Sequence, residues 1–323
     1  MIELRDPSIG LRGVIAIHST KLGPAFGGIR RRAYRDEAEG RADAWRLAEA
    51  MSCKCALAGL PAGGGKTVLF AGEADDVDAI YDAVGDAVDA LGGSYVCGPD
   101  IGTGARELDR VRARTRWVNP RGNDAGASTA AGVLAGLRAV WRCLGIEPTR
   151  SRAAIQGLGA VGLALARSLR ELGVEVIGAD VDPSRVDVAH ALGIAIVDPR
   201  AVMHADVDVL VPCAAGDVLT RDAVAKLRCR AICGSANNQL ADDDAARALV
   251  EAGIVHAPDI VVSAGAIEGV LTMARGTAPE VRVEVASTIA ALEGVTGRIL
   301  DRARIDHAPP DQVARQLARE RLA

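Results

Sequence analysis

The sequence predicts an α/β protein of two domains, and three observations support that prediction. Short apolar segments with strand character alternate with longer segments of helical spacing along most of the chain. The stretch GLGAVG at 157–162 follows one predicted strand and opens a helix. The turn-forming run NPRGNDAG at 119–126 separates two such alternating regions. Alternation of this kind is typical of a parallel, doubly wound sheet.

The first domain is predicted over residues 1–118 and mixes strands with helices. Residues 12–18 alternate apolar and polar side chains, which is the pattern of a strand with one buried face. The segment GPAFGGIRRR that follows is predicted to be a glycine-rich loop. The remaining predicted elements are helices at 37–56 and about 75–91, and strands at 68–70 and 94–97.

The second domain is predicted over residues 119–292 and repeats the strand–helix order more regularly. A helix at 128–144 precedes a short apolar strand at 152–156, and another helix spans 160–172. The last helix, 293–323, is expected to pack back on the first domain. Further strands are predicted at 175–179, 195–197, 209–211, 231–233 and 260–262.

The composition excludes several classes of function. A net charge of −4 and 2% aromatic residues argue against nucleic-acid binding, which favours basic stripes and stacking side chains. No apolar run approaches the ~18 residues of a membrane span, and MIELRDPSIG lacks the apolar core of a signal peptide. The 7 cysteines include no C-x-x-C pair, so we expect reduced thiols, no metal site and a cytoplasmic location.

The stretch at 157–162 matches the G-x-G-x-x-G pattern of a dinucleotide-binding loop, in the strand–turn–helix context that the pattern requires. The first glycine permits a tight turn, the second lets the backbone approach a pyrophosphate, and the third allows close helix–strand packing. The helix N-terminus offers free N–H groups to phosphates. A glycine-rich turn without a nucleotide is the disfavoured alternative. The predicted cofactor-binding residues here are Gly157, Gly159, Ala160, Val161 and Gly162.

An acidic residue ends the next predicted strand. Asp180 follows Gly157 by 23 positions, close to the ~20 expected for the residue that binds the adenosine ribose. Its carboxylate can accept hydrogen bonds from the ribose hydroxyls and would repel a 2′-phosphate, so NAD is predicted over NADP. Asp182 could share this role, and the spacing does not separate the two.

A second glycine-rich stretch, GLPAGGGKT at 59–67, invites comparison with a phosphate-binding loop. The pattern G-x-x-x-x-G-K-[ST] needs a glycine five places before Gly65, but that position holds Leu60. A strand pattern follows Thr67, where a phosphate-binding loop would begin a helix. A nucleotide hydrolase is therefore disfavoured, and Lys66 needs another explanation.

Three ionisable residues are candidates for the chemistry. Lys54 and Lys66 stand out in a chain whose basic residues are mostly arginine. Of these two cationic side chains, only lysine can lose its proton near neutral pH. Asp100 follows a predicted strand at its C-terminal end, where open α/β sheets present reactive groups. Taken alone, surface lysines and a loop-capping aspartate are equally good interpretations.

Several motifs together resemble the Glu/Leu/Phe/Val amino acid dehydrogenase family, nearest its leucine, valine and phenylalanine branch. In chain order they are GPAFGGIR, MSCKCALAGLPAGGGK, PDIGT, the GLGAVG loop, VPCAA at 211–215 and GSANNQL. The resemblance runs from about Gly13 to the C-terminus. It implies a substrate domain, a Rossmann-type NAD-binding domain and an active site in the cleft between them.

The resemblance also implies individual roles. Lys66 and Asp100 match the catalytic lysine and aspartate, while Lys54 and the amides of Gly27 and Gly28 match groups that bind the substrate carboxylate. Asn238 matches an amide that binds the substrate amine. The other positions that match cofactor-binding groups are Thr129, Cys213, Ala214 and Asn237. By position, the substrate side chain would meet Phe26, Gly98, Ile267 and Val270.

The implied activity is NAD-dependent oxidative deamination of an apolar, branched-chain L-amino acid to the 2-oxo acid and ammonia, reversible as reductive amination. An aromatic amino acid dehydrogenase of a specialised pathway is a variant of this hypothesis, and a non-catalytic NAD-binding regulatory protein is the alternative. The sequence departs from the family at Ser263 and Glu268, and its N-terminus is shorter than in leucine enzymes. We expect a homodimer or a higher homo-oligomer with no nucleic-acid or membrane partner.

Overall fold

The computed structural model describes residues 1–72, 75–214, 216 and 218–323, and they form two compact units. Unit 1 comprises Met1–Asn123, Gly269–Arg282 and Ala318–Ala323. Unit 2 comprises Asp124–Glu268 and Val283–Leu317. The domain boundaries proposed from the sequence stay predictions. Within the described residues, no helix is both long and apolar enough to span a membrane.

Unit 1 contains a five-stranded mixed sheet with helices packed against it. The strand order is β1-β2-β4-β3-β5; β1 and β2 pair antiparallel, as do β2 and β4, whereas β3 runs parallel to both β4 and β5. Its elements are β1 (Ile2–Asp6), β2 (Leu11–Ser19), β3 (Ala25–Arg32), α1 (Glu37–Ala58), β4 (Gly63–Phe70), α2 (Val77–Ala90), β5 (Tyr95–Gly98) and α3 (Ala105–Arg114).

Both glycine-rich segments of unit 1 are strands, so the loop predicted for GPAFGGIRRR is wrong. The reason is steric, because these strands approach their neighbours too closely for side chains. A Cβ on Gly27 would lie 1.7 Å from the carbonyl oxygen of Gly65, and one on Gly64 would lie 2.1 Å from the Ser52 amide nitrogen in α1. Glycine within a strand often marks such close backbone approach. Sequence patterns also missed β1 and α3.

Unit 2 contains a parallel six-stranded sheet in the order β11-β10-β9-β6-β7-β8. If β6 to β11 are renumbered 1 to 6 and the sheet is read from β8, the order is 3-2-1-4-5-6. This is the doubly wound arrangement of dinucleotide-binding folds, so the predicted fold class is confirmed. Its strands are β6 (Arg152–Gln156), β7 (Glu175–Ala179), β8 (Ala195–Ile196), β9 (Val209–Pro212), β10 (Ala231–Ile232) and β11 (Val255–His256).

Residues 125–144 and 160–171 are helical, close to the predicted helices at 128–144 and 160–172. The single helix predicted at 293–323 is wrong: one helix runs from Pro279 to Asp306 and a second from Pro310 to Leu322. The break follows from His307, which adopts φ 50, and from Pro309 and Pro310, which cannot continue a helix.

A second correction concerns the segment before Ser263. The apolar run 260–262 is part of a short helix, because Ser263 donates its amide to the Asp259 carbonyl at 3.0 Å. Periodicity cannot separate a buried strand from a buried helical turn in so short a run. The helices after α3 are α4 (Ala125–Leu144), α5 (Ala160–Glu171), α6 (Pro183–Ala191), α7 (Arg221–Val224), α8 (Asp243–Glu251), α9 (Asp259–Val262), α10 (Gly265–Arg275), α11 (Pro279–Asp306) and α12 (Pro310–Leu322).

We predict that Gly64→Ala destabilises the protein by about 1–3 kcal/mol, because the added methyl group would overlap backbone atoms of α1. The free energy of unfolding in denaturant measures this effect. Gly297→Ala in α11 is the matched control. A Cβ there meets no atom within 4 Å, and alanine should stabilise the helix by about 0.5–1 kcal/mol. Equal stabilities for both variants would contradict the steric role of Gly64.

Candidate active site

The sheet of unit 1 brings the two predicted catalytic residues together. Lys66 lies on β4, and Asp100 lies two residues after the end of β5; β3 runs between these strands. The Lys66 Nζ atom forms an ion pair with Oδ2 of Asp100. Only 9% of the lysine side chain and 15% of the aspartate side chain are exposed. The pair is therefore shielded from most of the solvent screening that weakens surface ion pairs.

A buried arginine from β3 completes this charge cluster. The Nε atom of Arg30 donates to Asp100 Oδ2 at 3.1 Å, and its Nη1 atom donates to Asp43 Oδ2 at 3.1 Å. Asp43, on α1, also accepts hydrogen bonds from Tyr34 at 2.8 Å and from Arg46 at 2.9 Å. Sequence reasoning missed Arg30, although an arginine directly after the GGI run is the signal that could have indicated it.

The charge cluster changes the pKa of both predicted catalytic groups. Burial lowers the pKa of the Lys66 ammonium, while Asp100 opposes that change and the positive charge of Arg30 adds to it. For Asp100, burial alone would raise the pKa, but Lys66 and Arg30 outweigh it and hold the pKa at about 2. The aspartate therefore stays ionised, and the lysine is the group that can release a proton in the working range.

The glycines predicted to bind the substrate carboxylate lie beside this pair. Gly28 has no room for a side chain, because a Cβ would lie 2.5 Å from the carbonyl oxygen of Pro99 and 2.8 Å from Cβ of Asp100. The buried Tyr95 hydroxyl donates to the Gly27 carbonyl at 3.1 Å. Close packing is thus one reason why glycine occupies both positions. Lys54, half-buried on α1, keeps its carboxylate-binding role as a prediction.

Part of the predicted side-chain pocket lies within unit 1. A Cβ on Gly98 would lie 3.4 Å from Cβ of Asn119, and one on Gly269 would lie 2.8 Å from both Asn119 Oδ1 and Phe26 Cζ. The Asn119 oxygen accepts a hydrogen bond from Asn123 Nδ2 at 2.9 Å. Asn119 was missed because it stands in a run of turn formers.

The predicted contact of two further residues with the substrate side chain stays a prediction. Ile267 and Val270 are both buried on α10, but Ile267 belongs to unit 2 and Val270 to unit 1.

The dinucleotide loop of unit 2 has the geometry that its glycines predict. Gly157 adopts φ 93, and a Cβ there would lie 2.7 Å from Cβ of Ala214. A Cβ on Gly162 would lie 2.0 Å from the carbonyl oxygen of Gly157. By contrast, a Cβ on Gly159 would meet only Arg185, at 3.8 Å. A side chain there would fill the open space in front of α5, where the sequence places the pyrophosphate.

The amides of α5 also fit a phosphate ligand. The Leu163 amide is the first to bond within the helix, to the Gly159 carbonyl at 2.9 Å. The amides of Ala160 and Val161 precede it and have no acceptor four residues back. They face the N-terminal end of the helix, where anions bind. The residues present therefore fit a dinucleotide.

Asp180 is more enclosed than the sequence suggests. Its carboxylate accepts hydrogen bonds from the amides of Leu158 at 2.7 Å and Asp182 at 2.9 Å, and 4% of the side chain is exposed. Burial would raise its pKa, but these amides and Arg185, 3.5 Å away, lower it overall. Asp182 is 41% exposed and caps α6. Either acid retains acceptor capacity for a ribose hydroxyl.

The other predicted cofactor residues lie in unit 2. Thr129 donates its hydroxyl to the Ala125 carbonyl at 2.6 Å, leaving its oxygen free to accept. Cys213 follows β9 and bonds through its amide to Gln156 at 2.7 Å. Asn237 is exposed, and Asn238 is half-buried. Ala215, the last residue of the VPCAA motif, lies outside the described residues.

The two departures from the family pattern have defined positions. Ser263 ends α9 and is half-buried. Glu268 is also half-buried, and one carboxylate oxygen accepts a hydrogen bond from the Ser128 hydroxyl at 3.0 Å. The sequence left open whether Glu268 faces solvent. In the structure this hydrogen bond ties it to α4.

Two family profiles match the chain. Residues 2–117 match the Glu/Leu/Phe/Val dehydrogenase dimerisation domain. Residues 186–274 match the Glutamate/Leucine/Phenylalanine/Valine dehydrogenase profile.

Individual relatives agree with these profiles. Valine dehydrogenase of Streptomyces albus is 38% identical, with 100% of this chain and 92% of the relative covered. Leucine dehydrogenase of Thermoactinomyces intermedius is 33% identical, with 100% and 90% covered. The crystal structure of L-tryptophan dehydrogenase from Nostoc punctiforme superposes with a TM-score of 0.85 at 31% identity, covering 99% of this chain and 94% of that one. The chain therefore belongs to the Glu/Leu/Phe/Val dehydrogenase family, oxidoreductases that act on the CH–NH2 group of amino acids with a nicotinamide cofactor.

Proposed function

We propose that this protein catalyses the NAD-dependent oxidative deamination of an apolar L-amino acid, with branched-chain side chains preferred. The buried ion pair between Lys66 and Asp100 carries the proposal, because a depressed lysine pKa beside a permanent carboxylate suits proton transfer near neutral pH. Arg30, the other buried cation of the cluster, cannot serve as the base, because a guanidinium does not deprotonate in proteins.

Each residue of the site has a defined task in this reaction. Lys54 and the amides of Gly27 and Gly28 bind the substrate carboxylate, which fixes the orientation of the Cα–H bond. The nicotinamide supplies hydride acceptance when bound. Neutral Lys66 takes a proton from the water that attacks the resulting iminium carbon. The Lys66 ammonium returns that proton to the amino group, while the ionised Asp100 stabilises the positive charge of the lysine and so helps to expel ammonia. As ammonia leaves, the hydroxyl proton passes back to Lys66 and the 2-oxo acid forms.

We propose NAD over NADP because acids stand where a 2′-phosphate would lie. The carboxylates of Asp180 and Asp182 would repel that phosphate, and either can accept from the ribose hydroxyls. Arg185 bridges both acids, at 3.5 Å from Asp180 and 3.4 Å from Asp182. Its charge is thereby partly neutralised, which reduces its value as a 2′-phosphate ligand.

The side-chain pocket supports an uncharged substrate. Phe26 and Val270, both buried in unit 1, offer apolar surface, and burying an unpaired carboxylate against them would be costly. The missing side chain at Gly98 leaves room that a larger group could use. A phenylalanine dehydrogenase of Bacillus thermotolerans is 35% identical over 83% of this chain and 74% of that relative. An aromatic substrate is therefore the second candidate.

The enzyme is further proposed to be a homo-oligomer, because residues 2–117 match a dimerisation-domain profile. A cytoplasmic location is proposed from its 7 cysteines, which include no C-x-x-C pair. Light scattering after size exclusion tests the assembly directly. A non-catalytic NAD-binding protein is the competing proposal, and it predicts cofactor binding without turnover.

We predict that leucine, valine or phenylalanine reduces NAD at alkaline pH, and that Lys66→Ala lowers kcat/KM by at least about a hundredfold because the base is lost. A substrate panel in both directions, followed by NADH absorbance, measures this. Lys226→Ala, an exposed lysine of unit 2, is the control and should retain full activity. Lack of turnover across the whole panel, with NAD still bound, would support the non-catalytic alternative.

The pH profile should report the deprotonation of Lys66. We expect kcat/KM for deamination to rise with pH along one limb, at an apparent pKa below the ordinary lysine range, with no inflection from Asp100 above pH 4. Replacing Arg30 by methionine removes a neighbouring positive charge, so the limb should move to higher pH. An unchanged limb in Arg30→Met would show that another group is titrating.

The cofactor preference should identify which acid binds the ribose. If Asp180 is the ligand, Asp180→Ser should raise KM for NAD by about tenfold and improve use of NADP, since one charged hydrogen bond and one repulsion are lost. Asp182→Ser is the matched variant, and the larger change marks the ribose ligand. Initial rates with both cofactors measure the ratio. If neither variant changes the ratio of the rates with NAD and NADP, neither acid binds the ribose.

A further inference from the structure

The turn that carries Asn237 and Asn238 is fixed from beneath by buried polar groups of unit 2. Asn238 adopts φ 52, a left-handed conformation that asparagine tolerates better than most residues. Its amide donates to Asp259 Oδ2 at 3.0 Å. The next residue, Gln239, is fully buried. The backbone of the turn therefore depends on how these buried side chains are satisfied.

The hydrogen bonds of Gln239 have only one consistent direction. Its Nε2 atom lies 2.7 Å from the carbonyl oxygen of Gly234, which can only accept. The amide oxygen Oε1 must therefore face the other way, toward Nε2 of His256 at 3.3 Å. Since that oxygen can only accept, the His256 Nε2 atom must carry a proton.

The second ring nitrogen of His256 faces a carboxylate. Its Nδ1 atom lies 2.8 Å from Oδ2 of Asp311 at the start of α12, and neither atom has a directed hydrogen bond among the described residues. The contact is an ion pair by distance, and a bare nitrogen there would face a carboxylate with no proton between them. Imidazole is a stronger base than a carboxylate, so the proton belongs on the ring.

We propose that His256 is a positioning residue held as an imidazolium, which braces the Asn237–Asn238 turn through Gln239. The inference rests on the proposed function only in taking this turn as a binder of the nicotinamide and the substrate amine. The charged groups that bear on the ring are Asp311 from α12 and Asp259 from α9. The ring is 1% exposed, so water cannot replace a lost partner.

This arrangement makes the turn sensitive to pH in a defined direction. Burial lowers the pKa of His256, but Asp311 and Asp259 outweigh it and raise the pKa overall. The stabilisation is complete below the ordinary histidine pKa of about 6.5 and is lost as the pH rises through the higher folded value. When the ring loses one proton, Asp311 keeps the other on Nδ1. The Nε2 atom is then bare, and the bond to Gln239 breaks.

Replacing Asp311 by asparagine should remove the pH dependence and leave the turn ordered. The asparagine amide can donate to a bare Nδ1, so the neutral ring keeps its proton on Nε2 and still bonds to Gln239. His256→Phe should instead loosen the turn at every pH, because the buried Gln239 oxygen loses its donor. Asp301→Asn, an exposed aspartate on α11, is the matched control.

The test uses the free protein. Nitrogen NMR of the His256 ring in the wild type should show two protonated ring nitrogens at pH 6. The exchange rate of an unfolded peptide, divided by the hydrogen-exchange rate of the Asn238 amide at the same pH, gives a protection factor. We expect about a tenfold fall in protection between pH 6 and 10 for the wild type and Asp301→Asn, and none for Asp311→Asn.

A single proton on the wild-type ring at pH 6, or equal protection factors at pH 6 for the wild type and His256→Phe, would overturn the proposal. If His256→Phe does not fold, the pH comparison of the wild type with Asp311→Asn decides the matter alone. None of these measurements requires turnover. A failure of the proposed activity and a failure of this positioning role are therefore distinguishable.

Discussion

The buried ion pair between Lys66 and Asp100 is the interaction on which the proposed chemistry depends. Removing two charges from water costs more than surface pairing returns, so a buried pair persists only where further hydrogen bonds satisfy it. Arg30 supplies those bonds to Asp100 and is itself held by Asp43. The result is a carboxylate that cannot accept a proton at working pH beside an amine that releases one more readily than usual.

The glycines of β3 and β4 make this cluster possible by bringing three backbones close together. Gly27 packs against Gly65, and Gly64 packs under α1, which carries Asp43 and Lys54. Strand glycines normally weaken a sheet, because they lose more backbone entropy and bury no side chain. Here that cost is offset because β3, β4 and α1 can approach each other closely, which larger residues would prevent.

Sequence patterns predicted the regular parts of the fold and the residues that recur in motifs. The spacing around Gly157 and Asp180 was sufficient for the doubly wound unit, because two of the glycines meet local requirements: Gly157 adopts φ 93, and Gly162 packs on the Gly157 carbonyl. The strand at 25–32 was not predictable from local patterns. Its glycines are explained by contacts with Gly65 and Pro99, which are far from them in the sequence. The partners of Arg30, Asp43 and Asp100, are likewise brought together only by folding, and Asn119 is hidden in a run of turn formers.

The two units use the same physical device in opposite ways. In unit 1, burial and neighbouring charge bring a lysine toward its neutral form, which the reaction needs. In unit 2, the negative charges of Asp311 and Asp259 and the fixed direction of Gln239 outweigh burial and hold a histidine in its charged form, which the turn needs. A rise in pH therefore activates the base and weakens the bracing of the Asn238 turn. The two titrations belong to different residues, so Arg30→Met can change the first and Asp311→Asn the second without altering the other.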